Sequence, residues 1–447
     1  MRTRLLTAAA LLALGACSKP HFAGEEQYGP NPRLPKPQQF LFPPMGIANP
    51  TGFKANEAPT AAPGFQVTAF ARDLNFPRRV LPLPNGDVIV AESGGPGLEH
   101  VLRPKDIIFN LVIGGAHASV KPGNRILLLR DSNGDGVADQ KFVLVPKMAS
   151  PFGLAVIGST LYVGATDALW AFPFTAGATS VGQGRIVTSL PGGPIDHHWT
   201  KDVVASPDGS KLYVGVGSNS NIVENGLEAE HNRAAILEVD PKNGASRLFA
   251  TGLRNPNGLQ FYPGSNTLFA VINERDELGN NLVPDYLTSV KDGAHYGWPW
   301  SYYGQHVDVR VHPQRPDMVA KAIKPDYALG PHTAALGLTF VNGGMMPAQF
   351  QGGAFVGEHG SWDRTVFYGY QVVFVPFAGG KPTGKPMPFL TGFIDGKGNA
   401  RGRPVGVAMD RAGALLVADD VGQAIWRVTP AGGAPAGGAP AARPPAR

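Results

Sequence analysis

Two adjacent histidines, His197 and His198, lie in "PGGPIDHHWTKDVVASPDG", residues 191–209, on the approach to a tight Pro-Asp-Gly turn. An imidazole moves a proton near neutral pH or ligates a metal, so the pair is the first place to look for chemistry. In an extended segment neighbouring side chains face opposite ways, so only one of the two can face a shared site, and joint ligation of one ion is disfavoured. Other polar clusters follow. "TGLRNPNGLQF" crowds Arg254, Asn255 and Asn257 into a turn ahead of an apolar strand, and "NERDELGNNLVPD" gathers charged and amide side chains around Asp276 and Glu277. "YGWPWSYYG", with Trp298, offers aromatic faces to a planar ring or a sugar; "GEHGSWDR" ends in Arg364. "ARGRPVG" carries Arg401 and Arg403, two residues apart and on one side of a strand if the segment is extended. Singly, each has an ordinary explanation in a loop cap, a solvated face or a packed core.

Several reaction classes lose support. The sequence holds no G-x-S-x-G, H-E-x-x-H, Walker or G-x-G-x-x-G pattern, and its single cysteine rules out a C-x-x-C-H haem site. One metal pattern does stand out. In "RILLLRDSNGDGVADQKFVLV", Asp131, Asn133, Asp135 and Asp139 fall at positions 1, 3, 5 and 9 of an EF-hand-like loop with Gly136 at the turn. Phe142 takes the twelfth position, where a bidentate Glu belongs, and strands rather than helices flank the loop. The expectation is a structural Ca²⁺ loop pinning a hairpin, with a metal-free Asx-turn hairpin as the alternative.

The elements that must position these clusters are short strands. With 58 Gly, 42 Pro and only 16% charged residues in 447, the chain favours strands and turns over helix bundles. One theme recurs six times: a Gly-containing turn, a strand of β-branched and apolar residues, then a polar cluster. The copies are "PNGDVIVAES", "GSTLYVGATDALWAF", "PDGSKLYVGVGSNSN", "PGSNTLFAVINERDE", "GGAFVGEHGSWDR" and "AGALLVADDVGQAIWRV". Six like units predict an all-β, six-bladed β-propeller over residues 63–430, with decorating loops and with the polar ends converging around a central channel. The repeated motif would be the innermost strand of each blade. A paired β-sandwich gives no reason for the same motif six times.

The ends read differently. "MRTRLLTAAALLALGAC" is expected to be a lipoprotein signal peptide, residues 1–17, with Cys17 the lipidated residue and Ser18 favouring the outer membrane of a Gram-negative envelope. Residues 18–62 read as a Pro-rich tether, and residues 431–447 as a disordered Ala/Gly/Pro tail. Neither end is expected to carry chemistry. The net charge of +5 is small for the length, and no basic stripe with interleaved aromatics marks a nucleic-acid partner.

In their joint order, "GLRNPNGL … NERDELGNNLVPDYL … YGWPW … HGSWDR … RGRPVG" resembles the glucose/sorbosone dehydrogenase family, six-bladed propellers that use pyrroloquinoline quinone (PQQ) and Ca²⁺, and most of all its L-sorbosone dehydrogenase branch. The resemblance implies oxidation of a sugar or sugar-derived aldehyde by hydride transfer to the quinone. Its general base is a histidine nine residues before a Pro-Asp turn, which here is His198. The arginine of its Arg-Asn-Pro triplet, here Arg254 with Asn255 beside it, polarises the quinone, and an Arg-x-Arg pair, here Arg401 and Arg403, clamps its carboxylates. Trp298 and Arg364 are further cofactor candidates, Arg364 standing in for a family lysine without a clear counterpart. The cofactor's Ca²⁺ would be held by backbone carbonyls near Asp276 and Glu277, in a loop that lacks the Gly-Pro step of the sugar-oxidising prototypes. Electrons would pass to an external cytochrome, quinone or copper protein, from an enzyme facing the periplasm on its lipid anchor. Two competing readings are a lactonase-type propeller hydrolase, which needs no converging arginine pair, and a non-enzymatic binding propeller.

Overall fold

The computed structural model describes residues 24–40, 44–96, 121–193 and 196–432. Cys17, the signal segment and the tail from residue 433 lie outside the described residues. Strands rich in Val, Leu and Ile, broken by Gly and Pro turns, form six antiparallel blades in chain order. Blade 1 comprises Pro77–Pro82, Val88–Glu92, Arg125–Arg130 and Gln140–Val145. Blade 2 comprises Gly153–Ile157, Thr160–Gly164, Ala168–Pro173 and Arg185–Ser189, and blade 3 Val203–Ala205, Leu212–Val216, Ala235–Val239 and Ser246–Thr251. Blade 4 comprises Asn255–Phe261, Leu268–Asn273, Pro284–Val290 and Tyr327–Pro331, and blade 5 Ala335–Phe340, Ala354–Glu358, Gln371–Val375 and Met387–Thr391. Blade 6 takes Pro404–Met409, Leu415–Asp419 and Ala424–Pro430 from the chain's end, and Phe65–Ala71 from its beginning, so the ring is closed by pairing of distant strands.

The first strand of each blade touches the first strands of its neighbours all the way round, which makes these six strands the wall of the axis. The repeated sequence motif is therefore not the innermost strand. It is the second, and the hairpin between the two brings its polar end to the axis: Asn273 lies opposite Asn255, Glu358 opposite Ala335, and Asp419 opposite Pro404. Both sides of each second strand are covered. Leu268, Ala270 and Ile272 enter the hydrophobic cluster shared with blade 3, while Phe269 and Val271 enter the cluster shared with blade 5. That two-sided burial explains why "LFAVI" is a continuous apolar run rather than an alternating one, each large side chain contributing about 1.5–3 kcal/mol. Near the axis the blades come very close: a Cβ on Gly337 or Gly357 would lie 2.2 or 2.3 Å from the Val405 carbonyl oxygen.

Over its described part the N-terminal segment packs against the propeller. Tyr28–Gly29 adds a fifth strand to blade 4 and Thr60–Ala61 a fifth to blade 5, and between them the Gly46 N–H donates to the Trp362 carbonyl at 2.9 Å. Proline removes a backbone donor, which confines Pro-rich chain to sheet edges but does not stop it from packing there.

Candidate active site

Where the second strands end, their loops enclose a cavity of about 290 Å³. His197 and His198, between blades 2 and 3, line it together with Arg254, Asn255 and Asp276 of blade 4, His332 between blades 4 and 5, Trp362 of blade 5 and Arg403 ahead of blade 6. Ile47 of the N-terminal segment lines it too. Both histidines therefore face the same space, their rings in edge contact with centroids 4.5 Å apart. They sit in a turn, so the alternation rule for extended chain does not separate them.

The ring of His198 is held in one tautomer. Its Nδ1 lies 3.0 Å from both the carbonyl oxygen and the hydroxyl of Ser218, and that hydroxyl donates its own proton to the Ser220 carbonyl at 2.6 Å. Both partners of Nδ1 can only accept, so Nδ1 carries the hydrogen and the lone pair falls on Nε2. Burial, then the positive charge of Arg254, then His197, push the His198 pKa well below the ordinary histidine value. The close packing depends on Gly217, whose Cβ would lie 2.3 Å from the Cβ of His198 and 2.7 Å from the side-chain oxygen of Asn255.

Arg254 is buried and commits four of its five N–H donors: to the Asn221 carbonyl, the Asn221 side-chain oxygen, the Glu274 carbonyl and Asp276. It is a fixed positive charge in the wall. Arg403 is less fully engaged. One of its terminal nitrogens reaches the Tyr370 hydroxyl at 3.4 Å, its guanidinium lies 5.3 Å from the Tyr370 ring centre, and its buried Nε has no hydrogen-bond partner. An orphaned, charged donor on a cavity wall fits an anionic ligand.

Beside Arg254, Asp276 pairs with that guanidinium at 3.0 Å and with His332 Nδ1 at 3.3 Å. Burial alone would raise its pKa; the two cations hold it below the usual carboxylate range. His332 donates from Nε2 to the Gly279 carbonyl at 3.1 Å, and although burial disfavours its charged form, Asp276 and Asp363 bring its pKa up to about 9. Asp363, fully buried behind this wall, accepts the Glu277 N–H on one oxygen and has no partner on the other. The backbone carbonyls expected to hold Ca²⁺ are already engaged: Arg310 Nη1 donates to that of Asp276 at 3.0 Å and to that of Glu277 at 3.4 Å, with Asp308 gripping the rest of the guanidinium.

The remaining candidates are dispersed. Arg401 does not stand beside Arg403 over the cavity; it pairs with Glu57 at 3.0 Å and lies 4.6 Å from the ring centre of Phe53. Residues 401–403 precede the strand that starts at Pro404, so the pair has no common side. Arg364 lies over Tyr368, its guanidinium 4.6 Å from the ring centre. Trp298 is buried and donates to the Asn221 carbonyl at 2.9 Å, which supports Arg254 from behind. In the Asp131–Asp139 loop the oxygens turn to local hydrogens: Asp131 accepts from the backbone of Gly134 and Gly136, Asp135 from that of Val137, and Asp139 from Ser132.

Sequence reasoning did not pick out Ser218, Asn221, Arg310, His332 or Asp363. Ser218 and Asn221 lie in "GSNSN", one of the polar strand ends expected at the channel, and could have been found there.

Residues 175–361 match the family described as Glucose / Sorbosone dehydrogenase, and residues 314–431 match that described as TrAA12-like. A Borreliella burgdorferi protein is 29% identical over 246 residues, and a pyrroloquinoline quinone-dependent pyranose dehydrogenase of Coprinopsis cinerea is 24% identical over 358. The aligned stretches, 55% and 70% of this chain, cover 64% and 44% of those relatives, less than two thirds of either. Among solved structures, the holo PQQ domain of the Coprinopsis cinerea pyranose dehydrogenase superposes with a TM-score of 0.68 at 20% identity, over 86% of this chain and all of that one. A calcium structure of the Trichoderma reesei family AA12 enzyme gives 0.67 at 20% identity, over 87% and 99% of the two chains. The PQQ-bound aldose sugar dehydrogenase of Streptomyces coelicolor gives 0.53 at 16%, over 83% and 99%. At these identities the structural likeness is one of fold.

Proposed function

With its central stretch matching the glucose/sorbosone dehydrogenase family and propellers of PQQ-dependent sugar dehydrogenases as structural neighbours, we propose that this chain oxidises a sugar or sugar-derived aldehyde with PQQ, accompanied by Ca²⁺. The observation that carries the reading is His198, a neutral imidazole whose lone pair is fixed on Nε2, in the wall of a cavity that also holds Arg254 and the unpartnered Nε of Arg403. PQQ, when bound, supplies an ortho-quinone able to accept hydride. Nε2 of His198 accepts the proton of the substrate hydroxyl as hydride leaves the same carbon. The resulting imidazolium keeps its Nδ1–H on Ser218, so the ring does not turn as it charges. Arg403 offers its free donor to a carboxylate, and Arg254 contributes fixed positive charge that favours electron density arriving nearby. An aldehyde such as sorbosone would enter as its hydrate, which presents the same H–C–OH unit. The electrons then leave for an external acceptor, and an envelope location through Cys17 belongs to the same reading.

The test is reconstitution. The full chain is mixed with PQQ and Ca²⁺, and dye reduction is followed with glucose, other aldoses and sorbosone. Retained quinone absorbance with turnover of at least one of them is expected, and His198→Gln should lower kcat by about 10²–10⁴. No retained quinone and no dye reduction with any substrate would overturn the reading.

A further inference from the structure

Asp276, His332 and Asp363 each fix one polar atom outside the cluster and turn a second toward the others, the Asp276 oxygen and His332 Nδ1 meeting at 3.3 Å. Asp276 gives one oxygen to Arg254, His332 gives Nε2–H to the Gly279 carbonyl, and Asp363 receives the Glu277 N–H. One ligand atom from each of the three residues lies within 4.8 Å of the other two, the only such group of three acidic, histidine or cysteine side chains among the described residues. Asp363 is fully buried, and its second oxygen has no hydrogen-bond partner. Ligands about 2.4 Å from a shared ion lie at most about 4.8 Å apart, so the three atoms are near enough to share one ion. A carbonyl acceptor on the far nitrogen of a histidine and a hydrogen bond to the far oxygen of a carboxylate are the outer contacts that orient metal ligands.

We infer that Asp276, His332 and Asp363 form a divalent-cation site built from side chains in the cavity wall. It replaces the backbone carbonyls of Asp276 and Glu277, which face the guanidinium of Arg310. Two carboxylates balance a doubly charged ion, which displaces the Nδ1 proton held between His332 and Asp276, and the imidazole extends the accepted range from Ca²⁺ to Mn²⁺, which favours oxygen and tolerates nitrogen. Asp276 and His332 line the cavity, so the ion's open positions face whatever binds there. The site rests on these three side chains whether or not the cavity takes a quinone.

The test uses Mn²⁺ alone on the EDTA-treated full chain, without quinone, with free Mn²⁺ measured by electron paramagnetic resonance. One Mn²⁺ bound per chain and displaced by excess Ca²⁺ is expected, with Asp363→Asn and His332→Gln each weakening binding at least tenfold. Thermal unfolding of each variant establishes that it is folded; if Asp363→Asn is not, His332→Gln decides. No Mn²⁺ bound at millimolar concentration, or equal binding by wild type and folded variants, overturns the inference. A separate PQQ titration, followed by quenching of tryptophan fluorescence, reports on the quinone reading by itself.

Discussion

At the level of single residues, the His198 environment makes a kinetic statement. Burial and the charge of Arg254 depress its pKa, and the neutral form is the one that can take a proton. Lowering the pH through the ordinary histidine value of about 6.5 should therefore leave kcat/KM level, with the fall coming only at lower pH. A profile of kcat/KM between pH 4.5 and 8 checks this, and a half-maximal point at 6.5 or above would contradict it. Ser218→Ala should cost only severalfold in kcat, because the Ser218 carbonyl still accepts the Nδ1 hydrogen. The two arginines of "RGR" separate cleanly. Arg403→Ala should weaken PQQ binding about ten- to a hundredfold, as the loss of a charged hydrogen bond worth roughly 1.5–3 kcal/mol would. Arg401→Ala, which acts on Glu57 and Phe53, should leave that affinity within about twofold; equal losses in the two fluorescence titrations would count against the assignment.

At the level of elements, what holds the turn of His197 and His198 is a buried ion network that no local pattern announces. Asp196, immediately before the two histidines, accepts from Arg233 at 2.6 Å and Lys201 at 3.4 Å, and burial lowers the Lys201 pKa to about 8. Asp196→Asn would leave two buried cations without their counter-ion, a change expected to cost about 3–5 kcal/mol in denaturant unfolding. Adding Lys201→Met should recover part of that loss, and kcat should fall more than KM rises, since the turn carries the base. A single mutant as stable as wild type would mean that the network does not hold the turn. The same scale explains what the sequence could and could not convey. The strand-then-polar-cluster motif is local, so its six copies were legible, and so was the general position of the polar ends. Whether His197 and His198 part company, or Arg401 and Arg403 align, depends on whether those few residues are extended, and they lie in turns and loops set by neighbouring blades. His332 and Asp363 meet Asp276 only because blades 4 and 5 are adjacent, a proximity with no trace in spacing.

At the level of the whole molecule, the propeller buries both sides of its second strands, and this places ionisable strand ends out of water. Glu358 ends the second strand of blade 5, buried at 1% exposure, with Gln371 donating to it at 2.9 Å. Burial first, and the nearby negative charge of Asp285 second, push its pKa up to about 8 from an ordinary value of 4.5. Between those two values the native state keeps a proton that the unfolded chain has released. Ionising the group in the fold thus carries a penalty that is absent below pH 4.5, grows as the pH rises and is complete above about 8. Glu358→Gln keeps the shape and the acceptor for Gln371 but removes the charge. Its unfolding midpoint should exceed that of wild type by a few degrees at pH 9 and coincide with it near pH 4, measured by differential scanning calorimetry in matched buffers. A gain of the same size at both pH values would assign the effect to packing, and a loss at pH 9 would show that the carboxylate finds compensation in the ring that its present partners do not provide.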